Sequence, residues 1–159
     1  MKILIADDEA VCRSVAGKAF AKFCPESEVD EAPDGLLAAS LAVGAHRQRE
    51  PYQLVCLDCH MPIMNGPEAA QLIRQYEAAH KLEPVTFCII SSDDDARTLF
   101  ENQLGSDPAI TFITKPLVLE HLLRLYRFIQ SRRITGRAAD FAAGVFAKCG
   151  RPSDCLPEF

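Results

Sequence analysis

Short apolar runs that stop abruptly on polar residues are the strongest constraint this sequence places on its fold. Ile3-Leu4-Ile5-Ala6 stops at Asp7-Asp8-Glu9, and Leu54-Val55-Cys56-Leu57 stops at Asp58. Residues 85–90 stop at Ser91-Ser92, and residues 110–113 lead into Lys115-Pro116. Continuous apolar runs of four to six residues suit strands buried on both faces. Longer amphipathic stretches lie between them. Residues 10–23 should form a helix with Val11, Val15, Ala19 and Phe23 on one face, closed by Pro25. Residues 28–32 read as a weaker second strand, and Asp34-Gly35 as a turn into a second helix over residues 36 to about 46. A third helix is expected over residues 67–79, with Ala69, Leu72, Ile73 and Tyr76 at helical spacing. The fourth, residues 94–104, is poorly patterned; the fifth, residues 117–129, is strongly amphipathic through Leu119, Leu122, Leu123, Tyr126 and Ile129. Five strands alternating with five helices imply a parallel α/β sheet covered on both faces, with right-handed crossovers. Such sheets bind ligands outside the carboxyl ends of their strands.

The unusual polar residues fall at those ends. Asp7, Asp8 and Asp58 together would repel one another and need a cation, and their hard oxygen atoms suit Mg²⁺. Any one of them alone would read as a solvated helix cap. Three at strand ends, facing Ser91 and Lys115, point to phosphoryl transfer. A carboxylate can become an aspartyl phosphate, through a loose transition state in which positioning and charge neutralisation dominate. Asp58 is then the acceptor, Lys115 the neutralising ammonium and Ser91 a hydroxyl that hydrogen-bonds a phosphoryl oxygen.

Composition narrows the classes. The chain has 159 residues, 48% hydrophobic and 25% charged, enough apolar material for one core with residues left over. A net charge of -5 implies no direct binding to nucleic acid. No apolar stretch approaches the roughly 20 residues that span a membrane. The amino terminus reaches Asp7-Asp8 too early for a signal peptide, so a cytoplasmic location is expected. Seven scattered cysteines do not form a disulfide framework, and Cys56-x-x-Cys59 lacks the partners of a zinc site.

The stretches Asp7-Asp8-Glu9, then Leu57-Asp58-Cys59-His60-Met61-Pro62-Ile63-Met64-Asn65-Gly66, then Ile89-Ile90-Ser91-Ser92, then Phe112-Ile113-Thr114-Lys115-Pro116 resemble the receiver (CheY-like) domain of two-component response regulators. The resemblance covers about residues 1–130, in the right order. It implies a flavodoxin-like doubly wound sheet in the order 2-1-3-4-5 with five helices, followed by a short C-terminal extension, residues 131–159. It also implies that Asp58 is phosphorylated by a phosphohistidine on a sensor histidine kinase or phosphotransfer protein. Asp8, Asp58 and the backbone carbonyl of His60 would bind Mg²⁺ directly, with Asp7 acting through water. Lys115 would pair with the phosphoryl group. Ser91 would move toward it, and Phe112 would turn inward into the space Ser91 leaves. The chain would be no enzyme beyond catalysing its own phosphorylation and dephosphorylation, and would signal to an unknown downstream protein, with a homodimer open.

Several positions depart from the commonest family pattern. Ser92 stands where a small apolar residue is usual, and Phe112 replaces a frequent Tyr. Residues 44–52 and 102–108 make long connections. His60 and Asp93 would flank the phosphoryl group and tune its hydrolysis, although Asp93-Asp94-Asp95 also suits a solvated helix start. In the extension, Arg132-Arg133 and Thr135-Gly136 read as a helix end and linker. Residues 137–148 have room for one short helix, before Pro152 and Pro157. The chain as a fragment of a longer regulator stays open. An Asp-nucleophile phosphatase of the haloacid dehalogenase type is the enzymatic alternative, but Asp58-Cys59-His60 lacks that family's second carboxylate. A flavodoxin-like flavin carrier would need a first loop that welcomes phosphate, which Asp7-Asp8-Glu9 opposes.

Overall fold

The computed structural model describes residues 1–135, so the proposed helix at 137–148 lies outside the described residues. Five strands, β1 (Lys2–Ala6), β2 (Glu28–Ala32), β3 (Leu54–Leu57), β4 (Thr86–Ser91) and β5 (Ile110–Thr114), form one parallel sheet in the order β2-β1-β3-β4-β5. They alternate with α1 (Ala10–Phe23), α2 (Gly35–Arg47), α3 (Gly66–His80), α4 (Ala96–Leu104) and α5 (Leu119–Thr135). This is the expected doubly wound, flavodoxin-like α/β fold. The chain divides into two units, Met1–Leu125 and Tyr126–Phe159, with the boundary inside α5. The site lies wholly in the first. No helix among the described residues is long and apolar enough to cross a membrane.

The apolar runs mark the interior of the sheet. β3 and β4 are buried throughout and β1 from Ile3 onward, whereas edge strand β2 is mixed, which is why its sequence signal is weak. Registered neighbours on parallel strands point to the same face. Leu4, Val55 and Phe87 share one face with Ala6, Leu57 and Ile89, and pack in one cluster with Ala38, Ala39 and Ala42 of α2, Ile73 of α3 and Phe100 of α4. Ile5, Cys56 and Cys88 face the other side.

α1 corrects the expectation on its buried face. Val11 and Val15 are 73% and 52% exposed, while Ala16 and Phe20 are buried. The helix carries two apolar stripes at i, i+4 spacing, and periodicity alone does not choose between them. α5 starts two residues late, because the Val118 carbonyl accepts from the N–H groups of His121 and Leu122. It runs past Ile129 through Arg132-Arg133, good helix formers. α4 starts at Ala96 because the Asp93 carboxylate accepts the Asp95 N–H at 2.9 Å, a local turn that competes with the helix.

Two glycines fix the loop after β3. A Cβ on Gly66 would overlap the Asp58 carbonyl oxygen, and one on Gly35 would overlap that of Met64. The Gly35 N–H donates to that same Met64 oxygen at 3.0 Å. α3 opens with a capping box, in which Asn65 Oδ1 accepts from Glu68 N–H and Glu68 Oε2 from Asn65 N–H. Helices α2 and α3 thus both begin on the segment that carries Asp58.

A second ionic cluster sits at the amino edge of the sheet. Glu77, 2% exposed, accepts from Arg74 Nη1 at 2.6 Å and from the Val85 N–H at 2.8 Å, and lies 3.3 Å from His46 Nε2. Arg74 also bonds Asp107 at 2.7 Å and the Val85 carbonyl at 2.7 Å, and stacks over the Phe87 ring. Asp107 anchors the long connection that precedes β5.

Candidate functional site

Each strand delivers its polar residue with the backbone already pinned. The N–H of Asp7 donates to the Ala32 carbonyl, that of Asp58 to Ala6 and that of Lys115 to Ser91, each continuing the sheet ladder one step. Asp7 and Asp58 are buried and Asp8 is exposed, and all three offer carboxylate oxygens within 4.8 Å of one another. Lys115 Nζ lies 2.8 Å from Asp7 Oδ2 and 3.3 Å from Asp58 Oδ1. One ammonium pairs with two of the three carboxylates.

The titration behaviour follows from that imbalance. Burial pushes the Asp58 carboxyl above its ordinary value; Lys115 pulls it down, Asp7 pushes it up, and the net direction is up. Burial alone would lower Lys115, but its hydrogen bond to Asp7 and the charges of Asp58 and Asp7 prevail and raise it. Asp7, Asp8 and Asp58 thus form an acidic cluster that could hold a metal ion, and hard carboxylate oxygens of this kind suit Mg²⁺.

Ser91 lies beside Cys59. Ser91 is buried, and its Oγ accepts the Asp93 N–H at 3.1 Å. Burial pushes the Cys59 thiol up to about 11, with Ser91 only partly opposing it. Cys56 instead faces Cys88 on β4, and burial pushes its thiol up as well. Cys56 and Cys59 are thus two separate free thiols, as their spacing without zinc partners suggested.

The remaining expected residues surround this core. His60 Nε2 and Asp93 Oδ2 meet at 2.8 Å, joining the loops that follow β3 and β4. The His60 contact holds the Asp93 carboxyl below its ordinary value. Phe112 packs edge-on against Phe100 with centroids 6.1 Å apart, and the Arg97 guanidinium lies 4.3 Å from its ring centre. An apolar groove of about 430 Å³, bordered by Val11, Val15, Pro116 and Leu117, opens beside Asp58 and accounts for the two exposed valines of α1. Two neighbours had no sequence signal. Arg13 bonds the Asp7 and Asp8 carbonyls, and Arg97 covers Phe112. Neither lies in a quoted motif, and each is recognisable only once loops and helices are placed.

A doubly wound sheet with three carboxylates and a lysine at its carboxyl edge defines a receiver-type α/β domain. The family described as the response regulator receiver domain matches residues 3–127, and the chain belongs to that family. The two-component response regulator ORR41 of Oryza sativa subsp. japonica is 32% identical over 122 residues, covering 77% of this chain and 88% of that protein. Histidine kinase CKI1 of Arabidopsis thaliana is 29% identical over 141 residues; the match takes in 83% of this chain but 12% of the kinase. The crystal structure of the CKI1 receiver domain with Mg²⁺ and BeF₃⁻ superposes with a TM-score of 0.66 at 27% identity, over 82% of this chain and 89% of that one.

Proposed function

We propose that the protein is a phosphorylation-dependent receiver that accepts a phosphoryl group on Asp58 and changes its signalling surface in response. The observation that carries this reading is the buried Asp58 carboxylate, 3.3 Å from Lys115 and within 4.8 Å of the Asp7 and Asp8 carboxylates. A phosphohistidine on a sensor kinase or phosphotransfer protein is the donor. An Asp58 oxygen forms a bond to phosphorus while the phosphorus–nitrogen bond breaks, and the imidazole nitrogen keeps that electron pair. Asp8, Asp58 and the His60 carbonyl hold Mg²⁺, with Asp7 acting through water; when bound, the ion neutralises phosphoryl oxygens. Lys115 leaves the Asp58 carboxylate and pairs with the incoming phosphoryl group.

The switch then follows from the contacts that must be exchanged. Ser91 moves toward a phosphoryl oxygen. Phe112 gives up Arg97 and turns into the space that Ser91 vacates. His60 and Asp93, hydrogen-bonded across the mouth, tune how readily water reaches the aspartyl phosphate. Residues 1–130 act as the receiver and 131–159 as an extension. The protein works in the cytoplasm and turns over no substrate beyond its own phosphoryl group. Output passes to a downstream protein, with a homodimer as one form of the signal.

Intact mass after incubation with Mg²⁺ and a small phosphodonor tests the acceptor. Wild type gains one phosphoryl group and Asp58→Asn gains none; equal labelling overturns the assignment. Decay of the phosphoprotein tests the tuning pair. His60→Ala and Asp93→Ala each change the dephosphorylation rate, and an unchanged rate in both removes that role.

A further inference from the structure

Arg13 holds the acidic loop from behind. It is the fourth residue of α1, with a side chain only 16% exposed. Its Nη1 donates to the Asp7 carbonyl at 2.8 Å and to the Asp8 carbonyl at 3.3 Å, and its Nε pairs with Glu31 of β2 at 3.2 Å. A single guanidinium therefore ties α1, the β1–α1 loop and β2 together. The Asp7 carboxylate has further supports, since Oδ1 accepts the Glu9 N–H at 2.9 Å and Oδ2 meets Lys115. The Asp8 carboxylate has no hydrogen bond or ion pair among the described residues. Its direction depends on its backbone, and Arg13 bonds that backbone at the Asp8 carbonyl.

Three carboxylates within 4.8 Å repel one another, and the exposed one relieves the repulsion most cheaply by swinging its peptide toward water. Two carbonyls engaged by one guanidinium oppose that swing. We infer that Arg13 is a positioning residue for the divalent cation, holding the Asp7–Asp8 backbone so that both carboxylates already converge on Asp58 when the ion arrives. The inference rests on the reading of this cluster as a Mg²⁺ site. A competing effect has the opposite sign, because a nearby positive charge repels a cation. Glu31 pairs with that charge and weakens the repulsion, which leaves positioning as the larger effect. A lysine would keep the charge but not the planar fork that reaches both carbonyls and Glu31.

Calorimetric Mg²⁺ titration of the full chain, with melting temperatures on the same samples, separates these effects. Arg13→Met weakens Mg²⁺ binding by about tenfold, the low end of what losing an outer-shell partner does. Arg13→Lys weakens it less, and Glu31→Gln, which leaves the carbonyl bonds in place, least. Tighter binding in Arg13→Met with wild-type binding in Arg13→Lys makes Arg13 a mere charge and overturns the proposal. A lowered melting temperature with unchanged affinity makes it a mere structural residue and overturns it equally. Should Arg13→Met fail to fold, the Arg13→Lys and Glu31→Gln affinities decide alone, and wild-type values in both overturn it. No uptake by wild type overturns the Mg²⁺ reading together with this one; uptake by wild type with no loss in the variants overturns only the role of Arg13.

Discussion

The two edges of the sheet carry ionic clusters of opposite character. At the amino edge, Glu77 is met by Arg74, His46 and the Val85 N–H, and Arg74 divides its donors among Glu77, Asp107 and Val85. The buried Glu77 carboxylate there has three partners, and Arg74 and Asp107 are only 15% and 18% exposed. At the carboxyl edge, Asp7 and Asp58 share Lys115 while Asp8 has no ion pair among the described residues, and the Asp58 carboxyl is pushed upward by burial and by Asp7 despite that lysine. The first cluster is complete within the chain; the second is left short of positive charge. An ion set that is already satisfied can only stabilise, whereas one left unbalanced can answer to a cation or a phosphoryl group. The same parallel sheet supports both because its two edges do not share a residue.

Breaking the cluster at the amino edge has the largest expected effect. Arg74→Met leaves Glu77 and Asp107 without their guanidinium and costs about 3–5 kcal/mol in urea unfolding. Arg74→Met combined with Glu77→Leu recovers much of that loss, since no buried charge is then stranded. Wild-type stability in the single variant would erase the contrast between the edges. Next, Mg²⁺ at about 100-fold its Kd raises wild-type stability by about 2.7 kcal/mol, and by much less in Asp8→Asn; melting curves with and without the ion show it. Smaller again, Asp58→Asn in the absence of metal stabilises the fold by about 0.5–2 kcal/mol, as removal of a functional carboxylate from a crowded site does. A loss of stability there would show that Lys115 already balances the edge.

The smallest effect is in pH dependence. A raised Asp58 pKa means the folded chain holds that proton to higher pH than the unfolded chain. Its contribution is therefore most favourable below the unfolded value of about 4 and declines as pH rises through the folded one. Urea midpoints of metal-free wild type fall across that window more steeply than those of Asp58→Asn. Lys115 acts elsewhere: its raised pKa gives stability that is complete below about 10.4 and is lost above its folded value.

How legible each edge was follows from the same contrast. Asp7, Asp8, Asp58, Ser91 and Lys115 each end or follow a strand, so local pattern alone puts them at one end of the sheet. Arg74 and Glu77 of α3, His46 of α2 and Asp107 before β5 come from three separate segments, and each reads by itself as a solvated charge. Only packing shows that they meet. Interior strands were plain because their runs are wholly apolar, while β2 was faint because an edge strand keeps Glu28 and Glu31 exposed. Val11 and Val15 misled because their stripe and the Ala16–Phe20 stripe have the same period.

Gly66 has a mechanical consequence. Its Cα rests against the Asp58 carbonyl, and Gly35 rests in the same way against Met64, two residues before Gly66. A linkage assembled without clearance has no backlash: a shift of the Asp58 backbone reaches the first turn of α3, and through Met64 that of α2, with no lost travel. At either glycine even a methyl group would act as a shim, and the two helices would be set to a new zero before any signal arrived.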